Sequence, residues 1–406
     1  MLKKLTLTHW IFIGIVLGIA AGGLLGEQIQ PIAKPLGNIF LRLLKMIIVP
    51  LIVSSITAGV LGVGDSKNLG RLGLKTIFYY MLTSGLAIIT GLALVNIFQP
   101  GVGTELALSE TPEISGAEAG TVWGIVLRMI PENPVKAMAE GDMLAVIFFS
   151  ILFGFFITRL PEEGRKFFTK FFEYMFQAMM KMTQFIMYFA PVGIFGLIAG
   201  IVATVGFAAF GSLLKFFLVV LAALVIHACI TLPLLLRFIG GIKNPFRHVK
   251  SMTEALLTGF STASSNATLP VTMRCVEQNS GVSNRTTSFV LPLGATINMD
   301  GTALYECVVA MFIAQVYGIE LSFFTQWVIV FTALLTSIGV AGVPMASLVA
   351  IAIILKAVGL PLEGIGLIMV TDRILDMCRT TVNLWSDSCG AVIIARTEGE
   401  KTKLVD

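Results

Sequence analysis

Apolar stretches that are long enough, or nearly long enough, to cross a lipid bilayer recur from end to end of this chain. A transmembrane helix needs about 20 predominantly apolar residues. Such stretches cover residues 10–25, 39–63, 76–98, 144–157, 185–207 and 213–236, and more follow after residue 285. With 56% hydrophobic and only 13% charged residues, the chain cannot be an ordinary water-soluble domain. The sequence predicts an all-α polytopic membrane protein.

Basic residues in the connections between these stretches predict the orientation. They follow the second, fourth and sixth stretches, whereas the connection 99–126 contains four glutamates and no Lys or Arg. Because cytoplasmic connections are enriched in Lys and Arg, we expect eight transmembrane helices in a cell membrane, with both termini in the cytoplasm. The basic residues form no separate basic domain, so nucleic acid is not an expected partner.

Two segments in the last third consist of short apolar halves around a polar or small-residue centre. Residues 251–280 contain the centre STASSNATLP, and residues 331–358 contain SIGVAGVP. Interrupted segments of this kind line the binding sites of secondary transporters, where unwound backbone coordinates ions at membrane depth. We therefore expect two re-entrant helical hairpins, the first entering from the cytoplasm and the second from outside. The alternative is a pair of ordinary spans kinked by Gly and Pro.

The final apolar segment carries polar residues at helical spacing, which places them on one stripe of a helix. A buried Arg recognises a carboxylate with two parallel hydrogen bonds, and a nearby Asp holds an ammonium group. Together they indicate an amino acid with an acidic side chain, although a structural salt-bridge network is the alternative. The stripe consists of Asp372, Asp376, Arg379, Thr380, Asn383 and Asp387.

Between the predicted hairpins, Asn298 and Asp300 interrupt a helix that is otherwise apolar. A carboxylate at that depth requires a cation. Carboxylate, amide and hydroxyl oxygens suit a hard cation better than zinc or copper, and the histidines are not expected to join this cluster.

The chain resembles the glutamate transporter family of dicarboxylate and amino acid:cation symporters. The resemblance is carried by STASSNATLPVTMR (261–274), NMDGT (298–302), SIGVAGVP (337–344) and DMCRTTVNLWSD (376–387), and it extends to LLKMIIVPLIVSS (43–55) and YYMLTS (79–84). It implies an elevator fold with eight transmembrane helices and two re-entrant hairpins, assembled as a homotrimer.

The resemblance also implies a division of the chain. Residues 1–250 are expected to hold the scaffold spans one, two, four and five, together with spans three and six of the transport domain. Residues 251–406 are expected to form the core of the transport domain, with hairpin 1, span seven, hairpin 2 and span eight.

The resemblance further implies a substrate pocket for glutamate or aspartate. Arg379 would bind the side-chain carboxylate, and Asp376 the ammonium group. Asn383 and Ser265 would bind the α-carboxylate. The further pocket residues that the resemblance implies are Thr302, Thr380, Ala263, Val343 and Ser347.

The resemblance also implies three sets of sodium ligands, with sodium as the co-transported ion. The first set is Gly294, Asn298, Asn383 and Asp387. The second is Thr296, Ser337, Ile338 and Val340. The third is Tyr80, Thr83, Ser84, Asn298 and Asp300. The load of three sodium ions and one anionic substrate has a charge of +2, which makes uptake favourable at a negative interior potential.

Glu306 follows the text TALY, as in animal members of the family, and the resemblance implies that it carries a proton. The alternative is a carboxyl that is paired with Arg373 or another cation and takes no part in the cycle. The family's pattern has one arginine in the first hairpin and another beside the aspartate that binds the ammonium group. This chain has Ala263 and Met377 at those two positions.

Trp385 and Ser386 are larger than the residues usual just before the last aspartate. They are expected to crowd the Asp387 sodium site.

Two other kinds of symporter with the same fold remain as alternative functions. A C4-dicarboxylate symporter would keep Arg379 without requiring Asp376, and a neutral amino acid symporter would lack Arg379. An enzyme is not expected, because the sequence contains no P-loop, no HExxH motif and no nucleophile elbow.

Overall fold

The structure is a computed structural model that describes residues 7–64, 70–103, 130–205, 209–337 and 347–404. Within these ranges the regular structure is entirely helical. The α-helices of the described ranges are α1 (Leu7–Leu25), α2 (Gln30–Gly64), α3 (Gly70–Phe98), α4 (Pro134–Glu140), α5 (Met143–Ile157), α6 (Glu162–Met187), α7 (Ala190–Val205), α8 (Ala209–Ile226), α9 (Leu232–Phe238), α10 (Phe246–Thr262), α11 (Ser265–Arg274), α12 (Asn284–Ile297), α13 (Asp300–Val316), α14 (Phe323–Ser337), α15 (Ser347–Ala357) and α16 (Ile365–Thr397).

Several helices are long and apolar enough to cross a membrane. By length and composition these are the stretches Trp10–Leu61, Arg71–Phe98, Gly211–Phe238 and Asn284–Val316. The first has 52 residues, which is about 78 Å of helix at 1.5 Å per residue, against a hydrocarbon core of about 30 Å. Gly26, with φ of +53°, separates α1 from α2, so this stretch supplies two helices. The prediction of a multi-pass helical membrane protein is confirmed.

The predicted fifth span, residues 185–207, is wrong in its boundaries. Helix α6 begins at Glu162 and ends at Met187, and α7 begins at Ala190 with its axis bent by 57° from that of α6. Pro191, the second residue of α7, explains the break, because proline has no N–H to continue the preceding helix. The charged residues of α6 lower its hydropathy. The helix therefore contains no continuous apolar run from which it could be predicted.

The segment predicted as the first hairpin forms two short helices joined by a tight turn. Helix α10 ends at Thr262, and Ala263 adopts the left-handed conformation with φ of +50°. Ser264 then caps α11 by accepting a hydrogen bond from the Ala267 N–H, 3.3 Å away. A serine oxygen satisfies one of the free N–H groups at a helix start, so the polar centre of this segment forms the turn.

The segment predicted as the second hairpin also contains two short helices, α14 and α15, which pack against each other. Its expected tip, residues 338–346, lies outside the described residues.

The described helices pack in two groups, which also contact each other, through α16 on α7 and through α15 on α2 and α5. Helices α1, α5, α6 and α7 pack on α2 or on each other, with close contacts at glycines. A Cβ atom on Gly196 of α7 would lie 2.6 Å from the Ala33 carbonyl oxygen, so only glycine permits this approach. In the second group, α16 is central and packs against α3, α8, α10, α12 and α13.

Candidate functional site

The polar stripe of α16 faces the interior of the protein. Its six side chains, Asp372, Asp376, Arg379, Thr380, Asn383 and Asp387, are all buried, and Arg379 is among the largest fully buried side chains of the described residues. Ile374, on the opposite face, is 46% exposed. The helix therefore presents its polar stripe to neighbouring helices, as the spacing predicts. Most of its apolar residues, such as Leu375, Val382 and Leu384, are buried as well.

Arg379 is held by four groups around its guanidinium. Its Nη1 donates to Asp372 Oδ1 at 3.0 Å, and its Nη2 donates to Asp376 Oδ1 at 2.7 Å and to Ser347 Oγ at 3.0 Å. The guanidinium carbon lies 3.9 Å from the centroid of the Tyr305 ring, a cation–π contact. A buried charge requires such partners, and these fix the plane of the guanidinium.

The two carboxylate oxygens of Asp376 differ in their hydrogen bonding. Its Oδ1 accepts from Arg379, whereas its Oδ2 has no hydrogen-bond partner among the described residues and lies 3.6 Å from Arg373 Nη1. The buried Oδ2 is thus the atom of Asp376 that can accept a further donor.

Asp372 was predicted as part of the stripe but not as a site residue. The structure places it directly on Arg379. The seven-residue separation, two turns of a helix, is the sequence signal that could have identified this pair.

Asn383 joins α16 to the start of α13. Its Nδ2 donates to Thr302 Oγ1 at 3.1 Å, and its Oδ1 accepts from the Gly301 N–H at 2.8 Å. A Cβ on Gly301 would lie 2.8 Å from the Arg379 carbonyl oxygen. This close approach brings Thr302, Asn383 and Arg379 into one region of the structure.

The remaining predicted pocket residues come from the hairpins and from α16. Thr380, Ser265 and Ala263 are buried. Hairpin 1 reaches α16 at Leu384, whose side chain leaves no room for a Cβ atom on Gly259. Ser347 contacts Arg379 directly. Val343 lies outside the described residues.

Asp300 lies at the start of α13, after a break at Asn298 and Met299 that ends α12. Its Oδ1 accepts hydrogen bonds from Ser84 Oγ at 2.6 Å and Thr83 Oγ1 at 3.2 Å. Thr83 Oγ1 also lies 3.2 Å from Asn298 Oδ1. Four members of the predicted third sodium set, Thr83, Ser84, Asn298 and Asp300, therefore form a compact cluster of oxygens between α3 and α13.

The first and third predicted sets are contiguous. Asn298 Nδ2 donates to Asp387 Oδ1 at 2.9 Å, so one side chain contacts both clusters. A Cβ on Gly294 would lie 2.5 Å from Asp387 Oδ1 and 2.6 Å from Tyr80 Oη, which requires glycine there. Tyr80 Oη donates to the Val290 carbonyl oxygen at 2.7 Å.

The second predicted set is not brought together by side-chain contacts within the described ranges. Thr296 is exposed, and its hydroxyl donates to Leu293 O of its own helix. Ser337 is buried, and its hydroxyl donates to Leu334 O. Ile338 and Val340 lie outside the described residues.

The prediction that no histidine joins the cluster is wrong. His227 Nε2 lies 3.0 Å from Asp300 Oδ2, and both side chains are fully buried. His227 begins a π-helical turn, residues 227–231, between α8 and α9. A polar residue inside the apolar run ALVIHACI was the available signal, but the contact with Asp300 depends on tertiary packing.

Trp385 does not crowd the Asp387 cluster. Its indole Nε1 donates to the Ala228 carbonyl oxygen at 3.0 Å, and its ring packs against His248 with centroids 5.1 Å apart. Ser386, in contrast, lies within the cluster, where its hydroxyl donates to Asp300 Oδ2 at 2.6 Å.

Glu306 is fully buried on α13. Its Oε2 accepts from Thr336 Oγ1 at 3.2 Å, and its Oε1 has no hydrogen-bond partner among the described residues. The structure pairs Arg373 with Asp376 rather than with Glu306. The carboxyl thus has an oxygen free to hold a proton.

An ion-pair cluster directly after α16 connects this helix to α3. Glu398 accepts from Arg71 Nη2 at 2.6 Å and from Lys75 Nζ at 2.5 Å. The hydrogen bonds from Arg71 and then Lys75 lower the pKa of Glu398 from 4.5 to about 2. The cluster ties the end of α16 to the beginning of α3.

The sequence of this chain is similar to that of known membrane transporters. The model of the sodium:dicarboxylate symporter family matches residues 7–397. The proton/glutamate-aspartate symporter of Escherichia coli (strain K12) is 38% identical over 97% of this chain and 93% of its own length. The proton/sodium-glutamate symport protein of Geobacillus stearothermophilus is 38% identical over 98% and 96%. Excitatory amino acid transporter 3 of Mus musculus is 37% identical over 100% and 88%.

Proposed function

Because this chain belongs to the sodium:dicarboxylate symporter family, we propose that it is a secondary active symporter that imports L-glutamate, L-aspartate or both with sodium ions. Its relatives are symporters of glutamate or aspartate and excitatory amino acid transporters, so it is a transporter and not an enzyme. The observation that carries the substrate assignment is the buried pair of Arg379 and Asp376 on one face of α16.

In this proposal Arg379 binds the substrate's side-chain carboxylate through its planar guanidinium. Asp376 binds the ammonium group through Oδ2, which has no other hydrogen-bond donor among the described residues. Asn383 and Ser265 bind the α-carboxylate, and Thr302 and Thr380 add hydroxyl contacts. Backbone groups near Ala263 and Val343, together with Ser347, complete the pocket.

The oxygen clusters at Asp300 and Asp387 bind sodium. Carboxylate, amide and hydroxyl oxygens suit a hard cation, and the fully buried Asp300 and Asp387 need positive charge nearby. The first proposed site consists of Gly294, Asn298, Asn383 and Asp387. The third consists of Tyr80, Thr83, Ser84, Asn298 and Asp300. The second consists of Thr296, Ser337, Ile338 and Val340.

Charge balance supports three sodium ions. Of the four buried aspartates of the site, Asp372 and Asp376 pair with the arginines Arg379 and Arg373. Asp300 and Asp387 then leave two negative charges when Glu306 holds a proton. An acidic amino acid adds a third, and three sodium ions neutralise the loaded site. Movement of this load with a net transported charge of +2 is worth about 4.6 kcal/mol per 100 mV.

We propose the family's elevator architecture, with eight transmembrane helices, two re-entrant hairpins and a homotrimer in the cell membrane. Residues 1–250 hold scaffold spans one, two, four and five with transport spans three and six, and residues 251–406 form the transport core. Both termini face the cytoplasm. The packing of α1, α2, α5, α6 and α7 as one group supports this division.

The test is uptake of labelled substrates by the purified protein in liposomes. Aspartate, glutamate, succinate and serine are each supplied under an inward sodium gradient, with choline replacing sodium in the control. Aspartate or glutamate should accumulate only with sodium, and internal potassium shows whether return of the empty carrier depends on it. Accumulation of succinate or serine, with neither acidic amino acid transported, would overturn the proposal.

A further inference from the structure

The hydroxyl of Ser386 lies between the two cation-binding carboxylates. Ser386 is fully buried on α16 and immediately precedes Asp387. Its Oγ donates to Asp300 Oδ2 at 2.6 Å and accepts from Asn298 Nδ2 at 3.0 Å. A hydroxyl has one donor and two acceptor sites, so both hydrogen bonds form at once.

The first of these bonds fixes the rotation of the Asp300 carboxylate. Its Oδ2 accepts from Ser386 Oγ at 2.6 Å and lies 3.0 Å from His227 Nε2. Its Oδ1 consequently faces the hydroxyls of Thr83 and Ser84. Ser386 therefore directs one carboxylate oxygen towards the proposed third sodium site.

The second bond fixes the orientation of the Asn298 amide. Its Nδ2 donates one hydrogen to Ser386 Oγ and the other to Asp387 Oδ1, at 3.0 and 2.9 Å. The amide oxygen is left facing Thr83 Oγ1, 3.2 Å away. An amide turned the other way would present N–H groups, which repel a cation, to the same site.

The position of Ser386 is itself held from a neighbouring helix. Tyr79 Oη of α3 donates to the Ser386 carbonyl oxygen at 3.2 Å, which fixes the backbone from which the hydroxyl projects. Asp387 Oδ1, Asn298, Ser386 and Asp300 Oδ2 thus form one continuous chain of hydrogen bonds between the two carboxylates.

We propose that Ser386 is a positioning residue for sodium, which orients Asp300 and Asn298 together and so sets the affinity of the Asp300 site. This inference rests on the proposed function, since it takes that cluster as a sodium site. Ser386 contacts neither Arg379 nor Asp376, so it acts on sodium and not on recognition of the amino acid.

The test compares Ser386→Ala and Ser386→Cys with Ser388→Ala. Alanine removes the hydroxyl, and cysteine fills its volume with a weak donor. Ser388 is a matched control because it is equally buried on α16, but its hydroxyl donates to Trp385 O of its own helix. The thermal unfolding temperature is measured without amino acid at increasing sodium, because a ligand that binds the folded state raises it.

Both Ser386 variants should need about tenfold more sodium for half-maximal stabilisation, as expected for loss of a hydrogen bond to a charged group. At saturating sodium, their KM for aspartate should stay within about twofold of the wild type, and Ser388→Ala should match the wild type throughout. Unchanged sodium dependence in both Ser386 variants, or an equal shift in Ser388→Ala, would overturn the inference. If the inference is overturned but the wild-type protein shows sodium-driven uptake, the proposed function still holds. If the wild-type protein shows no sodium-driven uptake, the proposed function itself is wrong.

Discussion

Replacement of Asp376 by asparagine should convert recognition of an amino acid into recognition of a dicarboxylate. Asparagine keeps the volume and an oxygen that accepts from Arg379, whose bond to Asp376 is 2.7 Å long. It replaces Oδ2, which accepts no hydrogen bond from the described residues, by an N–H donor, which cannot bind an ammonium group. Asp372 still holds Arg379 at 3.0 Å, so carboxylate binding is retained.

The lost interaction is a hydrogen bond between two charged groups, worth about 2–3 kcal/mol. The value of kcat/KM for aspartate should therefore fall by about 30- to 150-fold. Succinate has no ammonium group, so its kcat/KM should stay within about threefold of the wild type or rise. Uptake of both labelled substrates into liposomes at saturating sodium measures the ratio of kcat/KM for aspartate to kcat/KM for succinate.

Thr381→Val is the matched control on the same helix. The Thr381 hydroxyl donates to Met377 O within α16, and its removal should leave both substrates unaffected. An equal loss of aspartate and succinate transport in Asp376→Asn would refute the reasoning, because it would mean that Asp376 only maintains the pocket.

Three further outcomes follow from particular contacts. Gly294→Ala should raise the sodium concentration for half-maximal uptake at least tenfold, because the added Cβ would lie 2.5 Å from Asp387 Oδ1; a sodium titration of uptake measures this. Glu306→Gln should remove the pH dependence of glutamate uptake between pH 5.5 and 8.5 if Glu306 carries a proton, and uptake identical to the wild type at every pH excludes that role. The pKa of Glu398 is lowered from 4.5 to about 2, so its ion pairs stabilise the fold above pH 4.5 and that contribution is lost as the pH falls towards 2. Glu398→Gln should accordingly lower the unfolding temperature at pH 6, with a difference from the wild type that shrinks on acidification.

The elements that sequence reasoning located best are those with a local signal. The polar stripe of α16 follows from a 3.6-residue period, and the turn at Ala263 follows from a polar centre between two apolar halves. The boundary at Pro191 was missed because α6 is amphipathic, and an amphipathic helix has no continuous apolar run.

The contacts between distant parts of the chain had no local signal. The cluster around Asp300 combines α3, the turn at His227, α13 and α16, and only the family resemblance predicted its α3 members. His227 was not predicted as a member, and Ser386 was expected only to crowd the Asp387 site, because their contacts with Asp300 depend on a π-helical turn and on the rotation of α16. Packing of whole helices, and not the pattern of any one of them, determines which side chains meet there.

The distribution of the site residues bears on how transport proceeds. Every predicted site residue within the described ranges lies on α3 or on the chain from Ala263 onwards, and none lies on α1, α2, α5, α6 or α7. Glu398 ties the end of α16 to α3 through Arg71 and Lys75, and Ser84 donates to Asp300, so α3 is held to the rest of the site at its beginning and at its middle. A group of helices that contains every predicted site residue within the described ranges and is internally tied can move as a unit without separating substrate from sodium. This arrangement supports the proposal that the loaded site itself crosses the membrane, rather than a gate opening alternately on either side of a fixed site.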